Sequence, residues 1–135
     1  GFKNNCNRTL AQLVVAYEGL DPKRKLIITG HSLGGATATL IADLLWEAGN
    51  RNIALITAGA PRPGGRRLRR RLEGLEQYRF VHGNDIVPNT PPFITGYVHP
   101  HHKIQLKDIN ETRFDGVTDH NIGDYVKAAE KHFAV

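Results

Sequence analysis

The chain contains no methionine, one cysteine and one tryptophan in 135 residues. A lone cysteine, Cys6, excludes an internal disulfide, so cysteine usage says nothing about redox compartment. No apolar run approaches the ~18 residues of a membrane-crossing helix, and nothing at the start reads as a signal peptide. A chain that opens on Gly1 and lacks methionine reads as a processed or excised segment. Repeats, linkers and low-complexity tracts are also missing. Hydrophobic residues at 40% and charged residues at 23% exclude disorder as the main state, and the length allows one domain, residues 1–135.

What is there begins with charge. The net charge is +5, and much of the excess sits at Arg62, Arg66, Arg67, Arg69, Arg70 and Arg71. Within that run Leu68, Leu72 and Leu75 recur at helical spacing. The segment therefore reads as an amphipathic helix with an apolar stripe and a solvated Arg face. An anionic lipid surface is the next reading. Nucleic acid is not expected as a partner, because no recognised nucleic-acid motif accompanies the charge.

Along the chain, helical and strand patterns alternate. Leu10, Leu13, Val14 and Tyr17 predict a helix over about 5–19, ended by Asp21-Pro22. Residues 25–29 (KLIIT) read as a buried parallel strand, 33–48 as a helix, and 53–57 as a second strand. The Arg-rich helix, a strand at 78–81, a Pro-rich loop over 83–100 and a strand at 103–107 follow. A last helix spans about 121–134, with Ile122, Tyr125, Val126, Ala129 and Phe133 as its apolar stripe. This alternation predicts an α/β fold, a mainly parallel sheet of about four strands flanked by helices and ordered as in the sequence. Ligands of such folds bind at the carboxyl ends of the strands.

At one such end stands Gly30-His31-Ser32-Leu33-Gly34, a G-x-S-x-G pattern between a predicted strand and a predicted helix. A nucleophile on this turn takes a strained backbone, and glycines at 30 and 34 are expected to remove collisions around it. The helix start would supply the Leu33 N–H to a developing oxyanion. Two other readings compete. Gly30 to Thr37 approaches a phosphate-binding loop but has Ala36 where the lysine is needed. The glycines could also serve only to pack helix on sheet.

A serine nucleophile needs a base, and the base needs a carboxylate to orient it. In α/β hydrolases the chain order is Ser, then Asp or Glu, then His. Asp85 follows the third strand in Val81-His82-Gly83-Asn84-Asp85-Ile86-Val87-Pro88, and His120 precedes the last helix. These stretches, with Gly35-Ala36, Thr57-Ala58-Gly59-Ala60-Pro61-Arg62-Pro63-Gly64, Pro91-Pro92, Tyr97-Val98-His99 and Tyr125, resemble the class 3 (fungal-type) lipases. Gly1-Phe2 resembles the start of that family's helix before the nucleophile strand. The resemblance implies an α/β-hydrolase-like fold and a serine carboxylic-ester hydrolase acting on lipid esters, acylglycerols or phospholipids. It makes Ser32 the nucleophile, Asp85 the triad acid, His120 the base and the Leu33 backbone N–H one oxyanion donor. No cofactor is expected, since acyl transfer by this route uses side chains and amides.

The other histidines compete for these roles. His31 reads as structural and His82 as a neutral packing or surface residue. His99 is a rival base. His99, His101 and His102 invite a metal reading, but neighbours on a strand face opposite sides and no carboxylate stands in ligand spacing, so no metal is expected.

The family's second oxyanion residue and lid precede the segment that Gly1-Phe2 resembles, and neither has a counterpart in these 135 residues. A catalytically inactive lipase-like binding module is therefore the alternative function. Residues 25–29 should form an open apolar sheet edge. That edge predicts association with a second polypeptide, an N-terminal half or another copy of the chain. Family resemblance and the Asn7-Arg8-Thr9 and Asn110-Glu111-Thr112 triplets suit secretion.

Overall fold

The computed structural model of the chain describes residue 21, residues 23–107 and residues 116–134. The expected helix over 5–19, Gly1-Phe2, Cys6 and both Asn-x-Thr triplets lie outside the described residues.

β1 (Leu26–His31), α1 (Leu33–Glu47) and β2 (Ile53–Ala58) form a parallel crossover unit. A short turn, β3 (Gly64–Gly65), leads into α2 (Arg66–Arg71), and β4 (Glu76–His82) then pairs parallel with β2. The connection to the next main strand carries short helical turns at Val87–Asn89 and Phe93–Thr95 and the two-residue β5 (Tyr97–Val98), antiparallel to β3. β6 (Lys103–Leu106) pairs parallel with β4. A turn at Thr118–His120 precedes α3 (Ile122–Phe133). The main sheet is thus ordered β1-β2-β4-β6, the sequence order expected, and every pairing is parallel.

Continuous apolar runs in the strands explain the layers. β2 (IALITA) is buried along nearly its whole length, as a central strand covered on both faces must be. One core joins Ile53 and Leu55 to Ala38 and Ala42 of α1 and to Leu68, Leu72 and Leu75. The Arg-rich helix is shorter than its leucine spacing predicted. It ends at Arg71, yet Leu72 and Leu75 still reach the core from the turn that follows. Arg71 is pinned by Asp43 and by Glu47 at 3.1 Å.

A smaller core gathers Leu106, Tyr125 and Ala128, with Ala58 and Phe80 against it. The expected stripe of α3 needs correcting here. Tyr125 and Ala128 are buried, whereas Ile122, Val126 and Phe133 are at least half exposed. Among the described residues the sheet ends at β6, and α3 packs on it through Tyr125, Ala128 and Ala129, a stripe narrower than periodicity drew. Among the described residues β1 is a sheet edge, and Ile27 on it is 58% exposed.

Candidate active site

Three chain segments meet at the carboxyl ends of β1 and β4. Ser32 follows β1 directly and caps α1, with φ 55° and ψ −131°. It is the one non-glycine residue with positive φ among those described, a conformation that L-residues avoid unless their surroundings enforce it. Two contacts enforce it: Ser32 N–H donates to the Ala58 carbonyl of β2 at 3.0 Å, and the Ser32 carbonyl accepts from Gly35 N–H at 2.9 Å.

Gly30 is essential to this turn. A Cβ there would stand 2.3 Å from the Gly34 carbonyl oxygen. Gly34 does not behave as expected: a Cβ on it meets nothing within 4 Å, because it faces the open side of the turn. The close approach belongs to Gly35, where a Cβ would come 2.6 Å from Ala60 Cβ. The pattern's second glycine is therefore not the one that lets helix and sheet touch. Leu33 is the first residue of α1, so its N–H has no carbonyl one helical turn earlier to bond.

Asp85, His120 and Ser32 form one line of hydrogen bonds. His120 Nε2 lies 2.7 Å from Ser32 Oγ, and His120 Nδ1 lies 2.8 Å from Asp85 Oδ2. Asp85 is 2% exposed and both its oxygens are occupied. Oδ1 accepts from Val87 N–H at 2.9 Å, and Oδ2 also accepts from the Tyr125 hydroxyl at 2.7 Å. Burial first, and then the bond to Asp85, raise the Tyr125 phenol above its ordinary pKa, so it remains a donor. The carbonyl of His120 accepts from His31 Nε2–H at 2.9 Å, and the two imidazoles stack at 4.7 Å. His31 thus holds the neighbouring ring.

Two supporting residues escape sequence reasoning in part. Tyr125 reads as one more apolar position of α3, but its hydroxyl reaches Asp85. Gly59 has φ 59°, and a Cβ on it would lie 2.8 Å from Asp85 Oδ2 and 3.1 Å from His120 Cε1. Its place in Thr57-Ala58-Gly59-Ala60-Pro61, straight after a buried strand, is the signal that could have marked it.

The rival histidines lie elsewhere. His82 is fully buried, with Nδ1 3.1 Å from the Asp119 carbonyl. His99 Nε2–H donates to the Pro88 carbonyl at 2.7 Å, and burial holds its pKa down to about 4. His101 and His102 precede β6 rather than alternate within it, with ring centres 6.0 Å apart. Among the described residues no three His, Cys, Asp or Glu side chains converge as a metal site would require.

Known proteins are similar to this chain in sequence and fold. The family "Lipase (class 3)" matches residues 1–95. A lipase of Rhizopus niveus is 41% identical over 85 residues, 58% of this chain and 22% of its own length. The secreted mono- and diacylglycerol lipase 1 of Fusarium solani is 42% identical over 89 residues, 64% of this chain and 26% of its own. Lipase II of Rhizopus niveus superposes with a TM-score of 0.69 and 33% identity, covering 79% of this chain and 43% of the lipase. The mono- and diacylglycerol lipase of Aspergillus oryzae superposes at 0.74 with 28% identity, covering 82% and 42%. The chain thus spans about a quarter of the length of the curated relatives it matches. The parallel sheet and its helices are those of the α/β-hydrolase fold, and the chain belongs to the class 3 lipase family.

Proposed function

We propose that the chain carries the acyl-transfer centre of a serine hydrolase acting on lipid esters, and that residues 1–135 form one domain. The observation that carries this reading is the unbroken line Ser32 Oγ, His120, Asp85, at 2.7 and 2.8 Å, on a strained strand-to-helix turn. Relatives named as mono- and diacylglycerol lipases support acylglycerol or phospholipid esters as substrates, and relatives named as secreted support an extracellular location.

In this mechanism Ser32 Oγ attacks the ester carbonyl carbon while His120 Nε2 takes its proton. Asp85 keeps the proton on His120 Nδ1 and stabilises the imidazolium that forms. The carbonyl oxygen becomes an oxyanion facing the Leu33 N–H at the positive end of α1. Collapse expels the alcohol, which receives the proton from His120, and leaves Ser32 acylated. Water then attacks the acyl carbon while His120 Nε2 takes one of its protons. Collapse breaks the bond to Ser32 Oγ, which receives that proton from His120, and the carboxylic acid leaves. Brief exposure to a butyryl ester followed by acid quench should trap one butyryl group on the Ser32 peptide. Turnover without that adduct would exclude an acyl-enzyme on Ser32.

The apolar edge supports a second polypeptide as partner, an N-terminal half or another copy of the chain. Ile27 and Leu33 are more than half exposed, and with Leu26, Ile28, Ile41 and Leu45 they line an open groove of about 640 Å³. A partner on that edge would be the natural source of a second oxyanion donor. Light scattering at micromolar concentration tests this: a fully active 15.0 kDa monomer would refute it.

A further inference from the structure

We propose that a second groove, between the β4–β6 edge and the loop carrying Phe93, binds the phosphate-bearing headgroup of an anionic lipid. The groove has a volume of about 500 Å³, and Arg62, Arg69, Arg79, Lys103, His99 and Phe93 are among its lining residues. Parallel pairing puts Arg79 and Lys103 in register on neighbouring strands, so two cations share one face about 5 Å apart at the backbone. Arg62 comes in from the loop after β2, where the carbonyls of Asn89 and Pro91 hold its guanidinium.

Among the described residues the cations of this groove lack a paired counter-charge. Arg79 is partly buried and donates from Nε to the His101 carbonyl at 3.1 Å. Burial first, and then the nearby Arg62, pull its pKa down to about 10. Among the described residues no carboxylate forms an ion pair with Arg62, Arg69, Arg79 or Lys103. Among the described residues the one carboxylate lining the groove is Asp85, whose oxygens are taken by Val87, His120 and Tyr125. His99 is neutral at pH 7 and adds nothing to the balance. A guanidinium taken partly out of water without an anion is unfavourable, and its planar fork suits the paired oxygens of a phosphate.

Neighbouring apolar residues select the source of that phosphate. Phe93 is 59% exposed on the groove and Ile94, beside it, is 93% exposed. Cations lining a groove beside exposed large apolar side chains match the two layers of a lipid surface, headgroup and acyl chain. A free phosphate ion would use the cations alone. The inference rests on the lipid-ester reading only for this choice of source, and the groove does not include Ser32 or Leu33.

The test measures co-sedimentation of the Ser32→Ala chain, which cannot consume lipid, with vesicles of phosphatidylcholine alone or mixed with phosphatidic acid. Partition onto the mixed vesicles should be at least about tenfold stronger, at ~1 kcal/mol per basic residue near the surface. It should weaken as salt is raised. The triple variant Arg69→Gln, Arg79→Gln, Lys103→Gln should lose most of the preference. A second triple, Arg24→Gln, Arg67→Gln, Lys131→Gln, removes equal charge elsewhere and should keep it. With Ser32 intact, the groove triple should hydrolyse a neutral soluble ester as the parent does. Thus a chain that fails on the ester yet prefers mixed vesicles sinks the catalytic reading and spares this one. Equal partition onto both vesicles, or equal loss in both triples, overturns the groove. Thermal stabilisation by inorganic phosphate without vesicle preference overturns the lipid assignment.

Discussion

Ser32 divides two unlike regions. On one side, His120, Asp85, Tyr125 and His31 make a closed polar cluster in which each group's hydrogen bonds come from this chain. On the other, Leu33 and Gly34, one and two residues along, and Ile27 on β1 face an open apolar groove. Polar groups buried without partners are costly, so a reactive cluster must be completed locally if it is to hold its geometry. Apolar surface is less demanding and can be covered by any complementary face. The difference teaches that the polar half of the site is completed by hydrogen bonds within the described residues, while the edge half presents apolar surface that those residues leave open.

The largest expected effect breaks the polar side at its reactive atom. Ser32→Ala should lower hydrolysis of a short-chain ester by ~10³-fold or more with an unchanged circular dichroism spectrum. Activity near the parent's would contradict the assignment.

The glycines set the two sides directly against each other. Gly30→Ala forces a Cβ to 2.3 Å from the Gly34 carbonyl, so urea unfolding should show a loss of about 3 kcal/mol or more. Gly34→Ala points into open space within α1 and should be neutral or stabilising by a few tenths of a kcal/mol. Equal losses from both would erase the asymmetry.

A pH experiment comes next in size. Burial, then the charge of Arg79, hold His99 at about 4, below its unfolded value of 6.5. Between those values the unfolded chain binds a proton that the folded chain refuses, so stability falls as pH drops through that window. Partial exposure of the ring screens the effect, leaving on the order of 2 kcal/mol between pH 7 and 4. His99→Asn should flatten that part of the profile in unfolding measured across pH.

The smallest effect tests one buried donor. Tyr125→Phe removes the hydroxyl 2.7 Å from Asp85 Oδ2 and should cost about 1 kcal/mol of stability. Ester turnover should drop by only a few-fold, because His120 still reaches the same oxygen. A change as large as that of Ser32→Ala would make Tyr125 a participant in proton transfer.

Local chemistry made much of this legible in the sequence. The strand, the Gly30-His31-Ser32 turn and the helix after it are encoded by adjacent residues, and parallel order follows from alternating elements. Sheet order and the meeting of Ser32, Asp85 and His120 were legible too, the latter through family resemblance, but finer long-range contacts were not. Spacing alone cannot tell that Gly34 faces outward while Gly35 meets Ala60. Periodicity gave α3 a stripe wider than the sheet it packs on, so Val126 and Phe133 are exposed. Arg79 and Lys103 are 24 positions apart in sequence and become neighbours only through strand register.

The central claim is that Ser32 is activated by His120 and Asp85, and covalent labelling reads it most directly. A fluorophosphonate probe reacts with an activated serine and spares an ordinary one. Incubation with the chain, followed by digestion and mass spectrometry, should place one phosphonyl group on Ser32, with labelling abolished in His120→Ala. An unlabelled Ser32, or labelling that survives loss of His120 unchanged, would contradict the account.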